Sequence, residues 1–347
     1  MGNRRYAILN LTATSERGFD PTTAYRRAFT VAGGGTAELL MVGGGGGGGD
    51  ADAGGGGGAG AVVLGTIALV PGNYDVIVGA GGLAAGQPGV PGTSDAGSYS
   101  PGHCGQHSRL RFPSGQIVTA VGGAGGNGIG GNFRVPSPLM VDWGLSFPLP
   151  AASCHSWNFG GGGAGTNAGI RAALTGSLPR YDSAPYNNVN VTEFKTSGHN
   201  YPDANGRRVG GGGGGAGGNA HANWGTGGFG RMVNWDGTEQ WFGAGGGGAA
   251  YFSGVGSAPV RAAIAVATQN MVRQNGVGGG GAIHSARTPD SDPAYGPWVP
   301  TAGTPHTGSG GGGGCGHTNG FPSGAGIDNA LWYNGGGSGI ILLRYPQ

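Results

Sequence analysis

Seven consecutive glycines at residues 43–49 constrain this chain more than any other feature, and comparable runs recur at 54–58, 160–163, 210–215, 245–248, 278–281, 310–314 and 335–337. Shorter Gly/Ala runs lie at 79–82, 122–131 and 225–230. A stretch without side chains has nothing to bury, so it forms neither an amphipathic helix nor a strand with a packed face. In a helix each glycine costs about 1 kcal/mol relative to alanine. Glycine supplies 88 of the 347 residues and proline another 21, far above ordinary usage of about 7% and 5%. The glycines follow no Gly-X-Y period, which excludes collagen. Intervals between runs are irregular, so the chain is not a fixed-period repeat array.

Disorder is the common outcome of such a composition, but disordered chains pair low hydrophobicity with high net charge. Here 37% of residues are hydrophobic, with seven Trp, eleven Tyr and eleven Phe, and the net charge is only +2. The glycine is therefore read as ordered. One ordered form open to it is the polyproline-II-like helix, with three residues per turn and about 3.1 Å rise, so that seven residues span roughly 22 Å. Its amides and carbonyls point outward. Helices of this kind lying side by side, with no Cβ between them, can satisfy one another's backbone groups. Ordering a residue costs roughly 1–2 kcal/mol, and a hydrogen bond returns a net of only about 1 kcal/mol. Glycine tracts therefore need an apolar scaffold to hold their ends.

Strand signals supply that scaffold. Residues 29–32, 38–42, 62–70 and 74–78 read as strands, with turn residues at 33–35 and 71–73. Residues 110–112 and 117–121 read as a hairpin around Pro113, Ser114 and Gly115, and 340–345 as a last strand. Strands are thus expected in the first 121 residues and the last eight, the final one joining the N-terminal sheet. The expected class is all-β: a β-sandwich-like base with packed polyglycine-II helices and long irregular loops. Residues 250–275 fit a short helix or a strand equally well.

The segments FTVAGGGTAELLMVGGGGGGG, GTIALVPGNYDVIVGAGG, QIVTAVGGAGG and GGGSGIILLRYP together resemble the glycine-rich domain of bacteriophage tail and other virion proteins. The likeness covers residues 29–82, 116–131 and 335–346. Residues 132–334 share only the alternation of glycine runs with variable loops, which is similar to the glycine-rich adhesins at the fibre tips of T-even-type phages. The resemblance implies an attachment segment at 1–28 and a glycine-rich β/polyglycine domain at 29–347, with variable loops at about 132–334. It implies a non-enzymatic virion surface protein of the tail-fibre or adhesin type, assembled in the host cytoplasm and binding a bacterial surface receptor, protein or glycan. The alternative is an architectural virion protein (capsid decoration, collar or head fibre) that grips neighbouring fibre, tail or capsid subunits. Either reading is compatible with a homo-oligomer.

No other motif competes. The cationic residues are almost all arginine, in pairs such as Arg4-Arg5 and Arg207-Arg208, without the clustering that nucleic acid requires. No apolar run reaches the roughly 18 residues of a membrane span, and the apolar part of MGNRRYAILNL is too short for a signal peptide. No phosphate loop, nucleophile elbow or carboxylate pair appears, so no catalytic residue and no cofactor is expected. Asp50 and Asp52 flank glycine runs and read as turn or capping residues rather than calcium ligands. Cys104, Cys154 and Cys315 each have a histidine within two residues, but lack the paired spacing of a zinc site. They read as packed or loop thiols, with a disulfide between two of them open; assembly in a reducing cytoplasm disfavours an early one. The aromatics carry the binding expectation. Trp224, Trp235 and Trp241 bracket Arg231, and with Tyr186 and Trp298 they suit recognition of a sugar or protein. The same rings also suit covering the ends of a core poor in side chains.

Overall fold

The computed structural model describes residues 6–12, 26–51, 54–83, 102, 104–126, 189–194, 207–218, 225–235, 237–252, 283–285, 301–315 and 335–346. These residues form strands and no helix, an all-β fold. In chain order the strands are β1 (Tyr6–Thr12), β2 (Arg26–Val31), β3 (Gly35–Val42), β4 (Asp50–Ala51), β5 (Val62–Leu69), β6 (Gly72–Ile77), β7 (Ser108–Arg111) and β8 (Ile117–Ala120). They continue with β9 (Val189–Phe194), β10 (Arg207–Val209), β11 (Arg231–Asn234), β12 (Glu239–Phe242), β13 (Ala250–Phe252), β14 (Ile283–Ser285), β15 (Gly314–Cys315) and β16 (Ile340–Pro346).

Two sheets form the base. One has five strands in the order β1-β16-β3-β5-β9, the other four in the order β2-β6-β7-β8. The expected closure of the chain is present: β16 lies antiparallel between β1 and β3, with Ile340 opposite Val42 and Tyr345 opposite Ala7. The β7–β8 hairpin is also as expected. Residues 62–70 and 74–78 do not pair; β5 belongs to the first sheet and β6 to the second, and likewise β3 and β2. Residues 32–34 and 70–71, within or beside the expected turns, therefore carry the chain between sheets. Strands also continue well beyond residue 121, from β9 to β15. Most of these are two to four residues long, too short to show periodicity. Residues 6–12, assigned from the sequence to the attachment segment, make a strand of the five-stranded sheet. Of the undecided stretch 250–275, residues 250–252 are strand and the rest lies outside the described residues.

Alternation within the first sheet explains its unbroken apolar runs. Leu39, Met41, Val63, Ile67, Ile341 and Leu343 join Tyr74, Val76, Leu110 and Val118 of the second sheet in one buried cluster. Their neighbours Leu40, Val42, Val62, Ile340 and Leu342 point the other way, into a second cluster with Val233, Trp235 and Phe242 of the β11–β12 region. A strand covered on both faces needs apolar residues at consecutive positions, not alternate ones. Tyr74 fills the first cluster, stacked on Phe29 and edge-on to Phe112. Its hydroxyl donates to the Val70 carbonyl and accepts from the Val70 amide.

The strands run into the glycine tracts at aligned ends. Val42, Val62 and Ile340 are level with one another, and beyond them begin residues 43–49, 54–61 and 335–339. The tract backbones are joined by hydrogen bonds with a three-residue period. Gly43, Gly46 and Gly49 donate to Ala61, Gly58 and Gly55; Gly44 and Gly45, between them, donate to Gln106 and Gly337. The carbonyls of Gly44 and Gly47 accept from Gly123 and Gly126, that of Gly45 from Gly82, and that of Gly46 from Gly311. Residues 43–49 thus have six neighbouring segments: 54–61, 121–126, 102–107, 79–83, 335–339 and 308–313. Those six also close a ring, through Gly58 to Ala124, Gly105 to Gly123, Gln106 to Ala80, Gly336 to Gly82, Gly337 to Ser309 and Gly57 to Gly311. Residues 210–216, 225–230 and 243–249 extend the layer outward from 54–61. At the far ends of the tracts short strands pair again: β4 with β15, and β10 with β13 and β14.

Candidate interaction surface

The aromatic residues expected to bind fall unequally on this scaffold. Trp224, Tyr186 and Trp298 lie outside the described residues. Trp235, Trp241 and Arg231 belong to the β11–β12 hairpin, which leaves tract 225–230 and returns into tract 243–249. Its turn contains Gly237 at φ +96°, a conformation costly for any residue with a Cβ. The Asn234 side-chain oxygen accepts from the Gly237 amide at 3.0 Å.

The two faces of the hairpin differ. Val233 and Phe242 point into the second cluster. Met232 and Trp241, directly opposite in the ladder, are 42% and 36% exposed, and Phe229 just before the hairpin is 37% exposed. Arg231 stands opposite Phe242. Opposed residues share a face of an antiparallel ribbon, so Arg231 and Trp241 are on different faces. The hairpin register thus puts Arg231 and Trp241, grouped in the sequence, on different faces.

Trp235 follows the first strand of the hairpin. It is 5% exposed and packed in the second cluster, where the apolar outer face of β3, β5 and β16 has to be covered. Arg344 lies over its ring, 5.0 Å from the centroid. The same guanidinium donates to the Trp235 carbonyl and to Glu38, its ladder partner on β3. This places a bidentate-capable cation between the hairpin and the sheet, tying one to the other. Among the described residues the buried Trp235 indole N–H has no hydrogen-bond partner.

Several residues that organise the layer carried little sequence signal. Ser108 is fully buried where the two sheets meet the tracts; its hydroxyl donates to the Val42 carbonyl at 2.6 Å and accepts from the Gly79 amide at 2.9 Å. His107 accepts the Gly122 amide on Nδ1 at 2.9 Å. Burial, and then the charge of Arg109, push its pKa down to about 3. Neutral His107 is thus a fixed acceptor within the layer. Ser338 binds both the backbone amide and the ring of His306, which holds φ at 60°. Cys104 is disulfide-bonded. Among the described residues no group of three His, Cys, Asp or Glu is placed to hold a metal.

Comparison with protein-family models finds no matching family, and comparison with curated proteins finds no match.

Proposed function

We propose that the chain is a phage virion surface protein of the tail-fibre or adhesin type, whose glycine layer is a block of polyglycine-II helices on a β-sandwich base. The carrying observation is the three-residue period of the tract hydrogen bonds, closed into a ring around residues 43–49. Three residues per turn is the period of polyproline-II geometry. A Cβ on Gly43 and Gly46 would meet the carbonyls of Val121 and Ala124, on Gly44 and Gly47 those of Ala80 and Leu83, and on Gly45 and Gly48 those of Ser309 and Gly312, all at 1.8–2.3 Å. Since a Cβ is about 1.5 Å from its Cα, these oxygens lie within reach of weak Cα–H···O contacts. The sandwich is supported by the single cluster shared between the two sheets.

Such a block fixes the points from which connecting loops emerge, so little ordering free energy remains to be spent on binding. The partners are a bacterial surface receptor, protein or glycan, and the neighbouring virion subunits that hold the chain. Trp241 with Met232 is the described part of that surface. The test is host-cell adsorption by purified protein and by its Trp241→Ala variant. Adsorption of the parent, reduced severalfold in the variant with melting unchanged, supports the adhesin. Labelling of the chain at buried sites between capsid or tail subunits, with no adsorption, supports the architectural role instead.

A further inference from the structure

We infer that the outer face of the β11–β12 hairpin binds a neutral hexose, with Trp241 as the stacking platform and Glu239 and Asn234 as the hydroxyl partners. The inference rests on the adhesin reading and names the chemistry of its receptor.

Ladder register brings four residues onto this face. Met232 is opposite Trp241, and Asn234 is opposite Glu239. Opposed residues share a face, with Cβ atoms about 4.5–5.5 Å apart. Residues two apart along a strand share it too, so Trp241 and Glu239 are about 7 Å from each other. All four side chains are exposed. Val233 and Phe242, on the other face, fasten the hairpin to the second cluster, whereas Trp241 belongs to neither buried cluster. The indole at position 241 is thus not spent on holding the hairpin in place.

Each group matches a different part of a pyranose. One side of a hexopyranose ring is a patch of C–H bonds with positively polarised hydrogens, which stacks on the negative face of an indole. Met232 gives that indole a soft apolar flank. The edge of the sugar carries hydroxyls. Glu239 offers two carboxylate oxygens, enough to accept from two adjacent hydroxyls, and an ionised acceptor makes the stronger bond. The Asn234 side-chain oxygen is engaged by the Gly237 amide at 3.0 Å. What Asn234 presents beside Glu239 is therefore its NH2 group, a donor.

Size and charge narrow the ligand. At about 3.4 Å per residue, four residues make a face roughly 14 Å long and two strands wide. That is far short of the about 800 Å² that each partner commits to a stable protein interface, and it matches one or two sugar rings. Glu239 is the one ionisable group on this face among the described residues. Its charge disfavours uronic acids, sialic acids and phosphorylated sugars, leaving neutral hexoses. A face without walls buries little of its ligand, so the binding is weak.

The experiment has two arms, both with the full chain. In the first, saturation-transfer NMR is run with methyl β-D-glucopyranoside, methyl β-D-galactopyranoside and, as the acidic counterpart, the methyl glycoside of glucuronic acid. The expected result is transfer to the ring C–H protons of at least one neutral glycoside and none to the glucuronide. Trp241→Ala should abolish the transfer, and Glu239→Gln, which keeps the shape and loses the charge, should weaken binding about tenfold. Melting should be unchanged in both variants. Transfer to neither neutral glycoside, equal transfer to the glucuronide, or transfer that survives Trp241→Ala would overturn the inference. The second arm measures adsorption to host cells after mild periodate, which cleaves the vicinal diols of surface glycans, and after proteinase K. Loss after periodate is the expected result. Adsorption that survives periodate overturns the glycan assignment and, if protease abolishes it, makes the receptor a protein; the adhesin reading then still stands. No adsorption to untreated cells would sink the adhesin reading, and this inference with it.

Discussion

A single methyl group separates two kinds of glycine in this chain. At Gly46 a Cβ would lie 1.9 Å from the Ala124 carbonyl, backbone that cannot swing aside; at Gly33 it would meet nothing within 4 Å. Gly33→Ala should therefore be neutral or stabilise by up to about 1 kcal/mol, through the unfolded chain. Gly46→Ala should cost at least about 3 kcal/mol, the scale of severe overpacking. Chemical denaturation of both variants checks the contrast. The tryptophans divide in the same way. Trp235→Ala should lose about 3–5 kcal/mol, whereas Trp235→Phe, which keeps the ring and removes the buried unpaired N–H, should stay within about 1 kcal/mol of the parent. Trp241→Ala should barely change the melting temperature.

His107 adds a pH dependence of definite sign. Its folded pKa, about 3, is below the ordinary 6.5, so between those values the unfolded chain binds a proton that the folded chain refuses. Stability contributed by this site is full above pH 6.5 and falls as the pH falls toward 3, by at most about 1.4 kcal/mol per unit. Denaturation at pH 7, 5 and 4 should show the decline, and His107→Asn, which retains an acceptor but does not titrate, should flatten it. A pH-independent difference between the two proteins would dissociate His107 from the effect.

At the scale of elements, strands and tracts are mutually dependent. The tracts have little side-chain burial of their own, and the strands supply it at aligned ends. Strand β16 lies between β1 and β3 and feeds both buried clusters, so truncation before Ile340 should abolish cooperative melting. The long strands were legible in the sequence because each is an apolar run bounded by turn residues. Their sorting into sheets was not, because the turns at 33–35 and 71–73 look like hairpin turns whichever sheet receives the next strand. Segment 102–107 was missed for a different reason. Only Gly102 and Gly105 face the central tract, so Cys104, Gln106 and His107 fill the other positions and hide the tract. The central run was plain because its sides are occupied and no position from 43 to 48 has room for a side chain. The site was less legible than the fold: chain order groups Arg231, Trp235 and Trp241, but ladder register and the cover required by the outer face of β3, β5 and β16 send them to different places.

Among the described residues of the whole molecule, a layer of backbone is held between strands at both of its ends. Such a layer is dense in amide–carbonyl pairs and nearly free of charge, so its integrity should depend little on salt. Residues 43–49 are locked inside a ring of six other segments. Native-state hydrogen exchange of the amides of residues 43–46 measures this most directly. The expected result is protection approaching that of the core strand β3, lost only with global unfolding. Exchange at the rate of an unstructured peptide, with β3 still protected, would contradict it.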